Sequence, residues 1–258
     1  INECIIKEFP CQMIFLEKLV DTLDNYALEG ENIIGTNEWK SILLQVVFSL
    51  IIYQKSFDFT HNDLHTNNIM YVPTNKTHIK YVFNGETYVI PTFGKIYKII
   101  DFGRAIYKFN GRRICSDSFQ KNGDAFTQYN TEPFYNPKKT RIEPNKSFDL
   151  CRLGCSLFDS YNEIYMDGNL KQMENDIIGK IINKWCSDDD GKHILYHPSG
   201  KERFEGFLLY KMIARKAHNH IPEEELDQTY FREYLNEQQE KCKDIDVMNM
   251  HVINIDDI

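Results

Sequence analysis

The stretches that decide the fold are His61-Asn62-Asp63-Leu64-His65-Thr66-Asn67-Asn68 and, beginning 33 residues after Asn68, Asp101-Phe102-Gly103. The first lies between a long apolar segment and a β-like run, and the second ends the apolar run 96–100. Taken singly, such residues are ordinary turn residues or strand-end caps. Both stretches in this order, each beside the expected element, instead indicate one site built from two loops.

The order His-x-Asp-x-x-x-x-Asn followed by a strand-borne Asp-Phe-Gly resembles the signature of the protein kinases. The resemblance implies catalytic roles for Asp63, His65 and Asn68. Phosphoryl transfer is mainly positioning and charge neutralisation, and the oxygen ligands of Asn68 and Asp101 suit Mg²⁺ that bridges phosphates. A separate carboxylate, Asp63, can accept the proton of the acceptor hydroxyl. The implied cofactors are ATP and Mg²⁺, both contacted by Asn68 and Asp101.

Four further residues are expected to support this site. Gly103 lets the chain turn directly after the metal ligand, and the resemblance assigns supporting positions to His61 and Phe102. Residues 148–154 resemble the start of the buried helix in the kinase C-lobe. That likeness implies that Asp149 accepts backbone N–H bonds from the loop around Asp63. The alternative is an ordinary acidic residue favoured at a helix start by the macrodipole.

Three features resemble the haspin-like protein kinases and related kinase-like proteins of giant DNA viruses. His65 stands two residues after Asp63, where most serine/threonine kinases have Lys. A hairpin-forming segment at 79–91 separates the two polar stretches, and residues 148–153 have the haspin-type form. The resemblance covers about residues 3–161. It implies an ATP-dependent serine/threonine protein kinase that acts on a protein substrate.

Three departures from these patterns carry expectations of their own. Asp101-Phe102-Gly103 stands where haspin-like proteins usually have Asp-Tyr-Thr, so the chain is not expected to be a close haspin orthologue. Asn62 replaces the Arg that usually precedes the catalytic Asp. Without that cation to clamp a phosphorylated loop, we expect activity to be independent of such phosphorylation. Lys138 replaces the Glu of the Ala-Pro-Glu motif, which predicts an altered substrate groove.

The front of the chain lacks two kinase motifs. No Gly-x-Gly-x-x-Gly occurs, and no Val-Ala-x-Lys strand precedes the first long helix. Residues 13–19 resemble the last N-lobe strand entering the hinge, with the backbone groups of Glu17 and Leu19 as adenine contacts. We therefore expect residues 1–20 to be a remnant of the N-lobe and residues 21–258 to be the C-lobe. The phosphate-covering loop and its Lys would then be encoded upstream of Ile1, and the isolated chain would turn over little.

Periodicity predicts an α+β, protein-kinase-like fold with a mostly helical C-terminal lobe, a β-hairpin insertion and a remnant of the N-lobe sheet. The predicted strands are a hairpin within 3–20 and the runs 69–72, 78–83, 87–90 and 95–100, with Asn84-Gly85 as a hairpin turn. The predicted helices are about twenty residues capped by Thr36 or Asn37, a second helix capped by Ser147, and 170–185, 204–218 and 223–240. Residues 104–146 are expected to be irregular, and the tail after Lys243 is expected to fray.

Composition sets the expectations about partners. The 258 residues include 30 Lys and Arg against 38 Asp and Glu, a net charge of −8, which argues against nucleic acid as a direct partner and favours basic peptide substrates through steering. No apolar run reaches the ~20 residues of a membrane span. Seven cysteines without Cys-x-x-Cys indicate a reducing compartment. We expect a monomer in the cytoplasm or nucleus, including those of an infected host cell, with no membrane partner.

Two other functions stay open at this point. His-Asn-Asp also occurs in small-molecule kinases of the choline and aminoglycoside type, so a kinase-fold small-molecule phosphotransferase is one alternative. A pseudokinase binding module is the other, although a scaffold has no physical need for Asp63, Asn68 and Asp101 together. The basic, aromatic stretch 204–216 is expected to be a helix packed on the core with a solvated face.

Overall fold

Helix α1 (Thr36–Phe57) is buried along most of its length and confirms the predicted core helix. The computed structural model describes residues 14–29, 33–235 and 250–258. Polar side chains on α1 bind neighbouring backbone: Gln45 Oε1 accepts the Tyr97 N–H at 3.0 Å. The N-cap is Gly35, one residue before Thr36 and two before Asn37, the predicted caps, because the first bond of the helix joins the Trp39 N–H to the Gly35 carbonyl.

Helix α2 (Phe148–Met166) is the second core helix and starts where it was predicted to start. Ser147 does not cap it through its side chain; its hydroxyl accepts the N–H of His220 instead, at 3.0 Å. Helices α3 (Leu170–Asn175) and α4 (Ile177–Trp185) follow. They were expected to be one helix, but the Asp176 carboxylate accepts the Gly179 N–H at 2.8 Å and begins a new helix there.

A three-stranded antiparallel sheet positions the two polar stretches. Its order is β1 (Asp21–Thr22), β2 (Ile69–Pro73) and β5 (Lys95–Ile99). Strand β2 begins directly after Asn68, and β5 ends two residues before Asp101. Since Ile69, the first residue of β2, pairs with Ile99, the last residue of β5, the two loops adjoin the same end of these neighbouring strands.

Strands β3 (His78–Phe83) and β4 (Glu86–Pro91) form the predicted hairpin insertion. Asn84 and Gly85 have φ angles of 51° and 73°, the left-handed pair that a two-residue type I′ turn requires. Strand β8 (Met250–Asn254) pairs with β3 in parallel. The expectation of a frayed tail is therefore wrong for residues 250–258, because β3 offers them an open edge.

The segment 104–146 is mostly irregular, as predicted, but it contains a hairpin that was missed. Strands β6 (Ile106–Phe109) and β7 (Arg112–Cys115) are joined by Asn110 and Gly111 in positive φ. The strands are short and largely exposed, so no apolar alternation marks them. The Asn-Gly pair was the available signal.

The C-terminal region is helical in shorter pieces than expected. It contains α5 (Phe207–Lys216), α6 (Pro222–Glu225) and α7 (Thr229–Arg232). The predicted helix 223–240 is wrong at 226–228 and at 233–235, which are not helical, and residues 236–240 lie outside the described residues. Leu226 and Phe231 are both buried, and on one continuous helix they would point about 140° apart. Breaking the helix lets both reach the core.

The hairpin predicted within residues 3–20 is not formed in its described part, residues 14–20. Residues 14–20 contain no helix or strand, and Ile14, Phe15 and Leu16 are 73%, 86% and 80% exposed. Among the described residues, the partner of β2 on this side of the sheet is the two-residue strand β1. The rest of that prediction, and the first residues of the proposed N-lobe remnant, lie outside the described residues.

The observed architecture is α+β, as predicted, and is compatible with a kinase-like fold. No helix within the described ranges combines the length and the apolar character needed to cross a membrane. The division of the chain into residues 1–20 and 21–258 stays a prediction.

Candidate active site

Two loops meet at the edge of the β1–β2–β5 sheet: the Asp63 loop (residues 60–68) and the Asp101 turn (residues 100–104). The Ile100 N–H donates to the Asn68 carbonyl at 3.0 Å. His61 Nε2 lies 2.8 Å from the Ile100 carbonyl, and His61 Nδ1 accepts the Asp63 N–H at 3.3 Å. His61 is therefore protonated on Nε2, and its buried ring ties one loop to the other.

Asp149, on helix α2, binds the backbone of the Asp63 loop. Its two carboxylate oxygens accept the N–H groups of His61 and Asn62 at 2.8 and 2.9 Å. The side chain is fully buried, and this burial raises the pKa of Asp149 against the lowering effect of His61 and the two N–H bonds. Both bonds are those expected for this side chain from the sequence; its importance for catalysis stays a prediction.

The Asp63 carboxylate is partly exposed and has a partner on each oxygen. The Tyr210 hydroxyl, from α5, donates to Oδ1 at 2.7 Å. Arg104 approaches Oδ2 at 3.4 Å, longer than a good charge-assisted hydrogen bond. Burial raises the pKa of Tyr210, so its hydroxyl stays a donor. Oδ2 thus has the longer contact of the two carboxylate oxygens.

Asn68 is oriented by its amide nitrogen. Nδ2 donates to the Asp63 carbonyl at 2.9 Å and lies 3.2 Å from His65 Nε2. Within the described part of the chain no hydrogen bond reaches Oδ1, which leaves this oxygen available as a ligand. Burial, and next the charge of Arg152, lower the pKa of His65.

Asp101 occupies the left-handed region, with φ 61° and ψ 71°. Its Oδ1 accepts the Gly103 N–H at 3.3 Å, and the residue is exposed. The ring of Phe102 packs against His61, with ring centroids 5.6 Å apart. No group of three His, Cys, Asp or Glu side chains among the described residues is arranged to hold a metal. The expectation that Asn68 and Asp101 hold Mg²⁺ stays a prediction.

Asn62, in the position of the missing Arg, forms a neutral hydrogen-bond network. Its Nδ2 donates to the carbonyls of Thr60 and Arg104 at 3.1 and 2.9 Å, and its Oδ1 accepts the Tyr129 hydroxyl at 2.6 Å. Asn62 is fully buried. These bonds tie the Asp63 loop to the segment after the Asp101 turn without any charged group.

The expected adenine contacts lie along the same sheet. Glu17 forms an ion pair with Lys98 on β5, and Leu19 is half-buried. Among the described residues, no contact joins either one to the side chains of Asn68 or Asp101. Their proposed role in nucleotide binding stays a prediction.

Sequence reasoning missed three residues around Asp63: Arg104, Arg152 and Tyr210. Tyr210 lies in the stretch predicted to be only a packing helix. The guanidinium groups of Arg152 and Arg104 lie 5.0 and 5.7 Å from the centre of its ring. The contact between Tyr210 and Asp63 spans 147 residues, and no local sequence pattern predicts it.

A cavity of about 1060 Å³ opens elsewhere, between α2, α3 and the loop 191–203. Its lining includes Phe158, Glu174 and His193, and none of the site residues. We place the candidate site at the two loops rather than at this cavity, because the loops hold the convergent polar groups.

Comparison with curated proteins finds partial matches to haspin kinases. Mus musculus serine/threonine-protein kinase haspin is 36% identical over 123 residues, 48% of this chain and 15% of that protein. The Arabidopsis thaliana haspin homolog is 33% identical over 75 residues, 29% of this chain and 12% of that protein. Bos taurus haspin is 34% identical over 98 residues, 38% of this chain and 11% of that protein. No family model matches the chain.

The chain therefore covers at most 15% of the length of these three relatives. Their names describe the whole proteins, whose activities come to this chain only as proposals. Over the part that is matched, this chain is kinase-like and related to the haspin-like serine/threonine kinases.

Proposed function

We propose that this chain is the catalytic region of an ATP-dependent serine/threonine protein kinase. The observation that carries the proposal is the way Asn68 joins the other two oxygen-bearing residues. Its side chain binds the Asp63 carbonyl at 2.9 Å, and its carbonyl binds the N–H of Ile100, directly before Asp101, at 3.0 Å. The partial identity to haspin kinases supports the same assignment.

In this proposal Asp63 accepts the proton of the acceptor hydroxyl through Oδ2, while Tyr210 orients the carboxylate through Oδ1. His65 steadies the amide of Asn68. Asp149 holds the backbone of the Asp63 loop through its hydrogen bond to the His61 N–H, and the His61 ring binds the loop to the Asp101 turn.

The donor set of the site fits magnesium. Asn68 Oδ1 and the exposed carboxylate of Asp101 are hard oxygen ligands, and Mg²⁺ usually keeps waters and substrate phosphates beside one or two protein ligands. When bound, Mg-ATP would supply the phosphoryl group and neutralise much of its charge. Glu17 and Leu19 are proposed to contact the adenine through their backbone groups.

The network around Asn62 supports activity that does not depend on phosphorylation. A phosphorylated loop usually needs an Arg to bind it, and here a neutral amide binds Tyr129 and the Arg104 carbonyl. A protein substrate, with basic peptides favoured by the acidic chain, is part of the same proposal.

A transfer assay on the full-length gene product tests the proposal. Labelled ATP would be offered to a Ser/Thr peptide library, biased to include Lys-rich and Asp-rich members, and to a panel of small-molecule alcohols. We expect label on peptide hydroxyls, loss of transfer in Asp63→Asn, and no loss in Asp159→Asn, an exposed carboxylate on the same helix as Asp149. Label on small alcohols alone would favour the phosphotransferase, and no transfer with intact nucleotide binding would favour the pseudokinase.

A further inference from the structure

One face of α2 is directed at the Asp63 loop. Asp149 binds the N–H groups of His61 and Asn62, and the Ser156 hydroxyl accepts the Thr66 N–H at 3.1 Å. These two residues are seven apart, two helical turns, and so share a face. Arg152 stands between them at the i+3 position of that face, which directs its side chain at the middle of the loop.

Arg152 is a half-buried cation without a counter-ion in the described part of the chain. Its Nε is buried and finds no hydrogen-bond partner among the residues that the structure describes. Its guanidinium lies over the Tyr210 ring, 5.0 Å from the centroid, and Tyr210 in turn holds Asp63. A partly buried charge is costly unless it is paired. The lack of a carboxylate partner points to an anion that arrives with a ligand.

Other inward-facing arginines are satisfied by the protein itself. Arg203 pairs with the buried carboxylate of Asp188 at 3.0 Å. Arg215 donates to the carbonyls of Thr127 and Gln128 at 2.7 and 3.1 Å. The arrangement of Arg152 is therefore not a general feature of how this chain buries arginine.

The proposed reaction needs a cation at this place. The group in transfer carries negative charge spread over three oxygens, whereas Asp63 and Asp101 add negative charge to the site. Arg104 is already engaged by Asp63.

We propose that Arg152 is a catalytic residue that contacts the oxygens of the phosphoryl group during transfer, an inference that rests on the proposed kinase function. One O–P bond forms at the acceptor oxygen, one breaks at the leaving diphosphate of ADP, and the acceptor proton passes to Asp63. Arg152 forms and breaks no covalent bond. It lowers the energy of the charge on the moving group, as preorganised donors do in other active sites.

The test compares binding with rate in the full-length gene product. Titration calorimetry would measure the affinity for Mg-ADP and for Mg-ADP with aluminium fluoride, a mimic of the planar phosphoryl group. For Arg152→Gln we expect the affinity for the mimic to fall about 100-fold and kcat to fall by a similar factor, with Mg-ADP affinity and the KM for ATP within about threefold of wild type. Arg152→Lys keeps the charge and should lose less in both measurements.

Arg232→Gln is the matched control, since Arg232 lies on α7 and pairs with Glu86 and Asp227 at the surface. This variant should bind Mg-ADP and Mg-ADP with aluminium fluoride with wild-type affinity and should keep the wild-type kcat. Equal losses for Mg-ADP and for the mimic, with a lower melting temperature, would assign Arg152 a purely structural role and overturn the inference. Wild-type rates in Arg152→Gln would also overturn it while leaving the kinase proposal intact. Absence of transfer in the wild type would overturn both.

Discussion

Replacing Asp149 by Ala should destabilise the protein and displace the Asp63 loop. The substitution removes the acceptor of two N–H groups, and both His61 and Asn62 are fully buried, so no water can replace the carboxylate. An unsatisfied buried donor costs about 1–3 kcal/mol, which makes about 2–6 kcal/mol for two. Burial raises the pKa of Asp149, so relief of the buried charge offsets part of this. We expect a net loss of about 2–4 kcal/mol in the free energy of unfolding.

Urea unfolding followed by tryptophan fluorescence and circular dichroism measures this loss. Asp149→Asn keeps one acceptor oxygen but turns an amide NH₂ toward the other N–H, so it should also be destabilised. The control is Asp159→Ala on the same helix, which loses only one exposed bond to the Tyr196 hydroxyl and should cost less than about 1 kcal/mol. A loss below about 0.5 kcal/mol in Asp149→Ala, at unchanged m-value, would refute this account of how the loop is held.

Four further outcomes are expected. Burial lowers the pKa of His220, so the unfolded chain binds its proton first, and the free energy of unfolding should fall as pH drops below about 6.5; His220→Gln should flatten that slope in urea titrations. Gly179→Ala would put a Cβ 2.1 Å from the Met173 carbonyl oxygen and should lower the melting temperature by about 4–8 °C in calorimetry; an unchanged value would contradict the packing. Phosphatase treatment of the full-length product should leave the transfer rate unchanged, whereas Asn62→Ala should reduce it at least about tenfold. A lower rate after phosphatase treatment would refute the inference that activity is independent of phosphorylation. Asp101→Ala should abolish the effect of Mg²⁺ on nucleotide affinity in titration calorimetry, and retention of that effect would remove Asp101 as a ligand.

Local signals carried much of the fold. Asn84-Gly85 can take the two positive φ angles of a tight hairpin turn, and the apolar runs on each side of it alternate, so β3 and β4 were predictable. The length and near-continuous apolar character of α1 likewise leave a buried helix as the only economical structure. The expectation that Asn68 and Asp101 share one site came instead from the resemblance to the kinase signature.

Features set by distant partners were not predictable in this way. Tyr210 reaches Asp63 only because α5 packs beside α2, and a tyrosine on an amphipathic helix looks the same whether or not its hydroxyl finds a carboxylate. The break between α3 and α4 begins at the Asp176 cap and places the Met173 carbonyl where only Gly179 has room. The sequence shows that Leu226 and Phe231 are apolar, but it does not show that both are buried, because that depends on the core against which they pack.

The parallel pairing of β8 with β3 affects how this chain is made. The Asp256 carboxylate, just past β8, accepts the N–H groups of Asn84 and Gly85 at 2.7 and 3.0 Å, across 172 and 171 residues of sequence. At ribosomal speed those residues emerge about 10–30 s after the hairpin does. Throughout that interval the nascent hairpin presents a bare strand edge, the kind of edge that recruits foreign strands. Completion of this small sheet therefore waits until residues 250–258 are translated, and until then the exposed edge is a natural binding site for a chaperone.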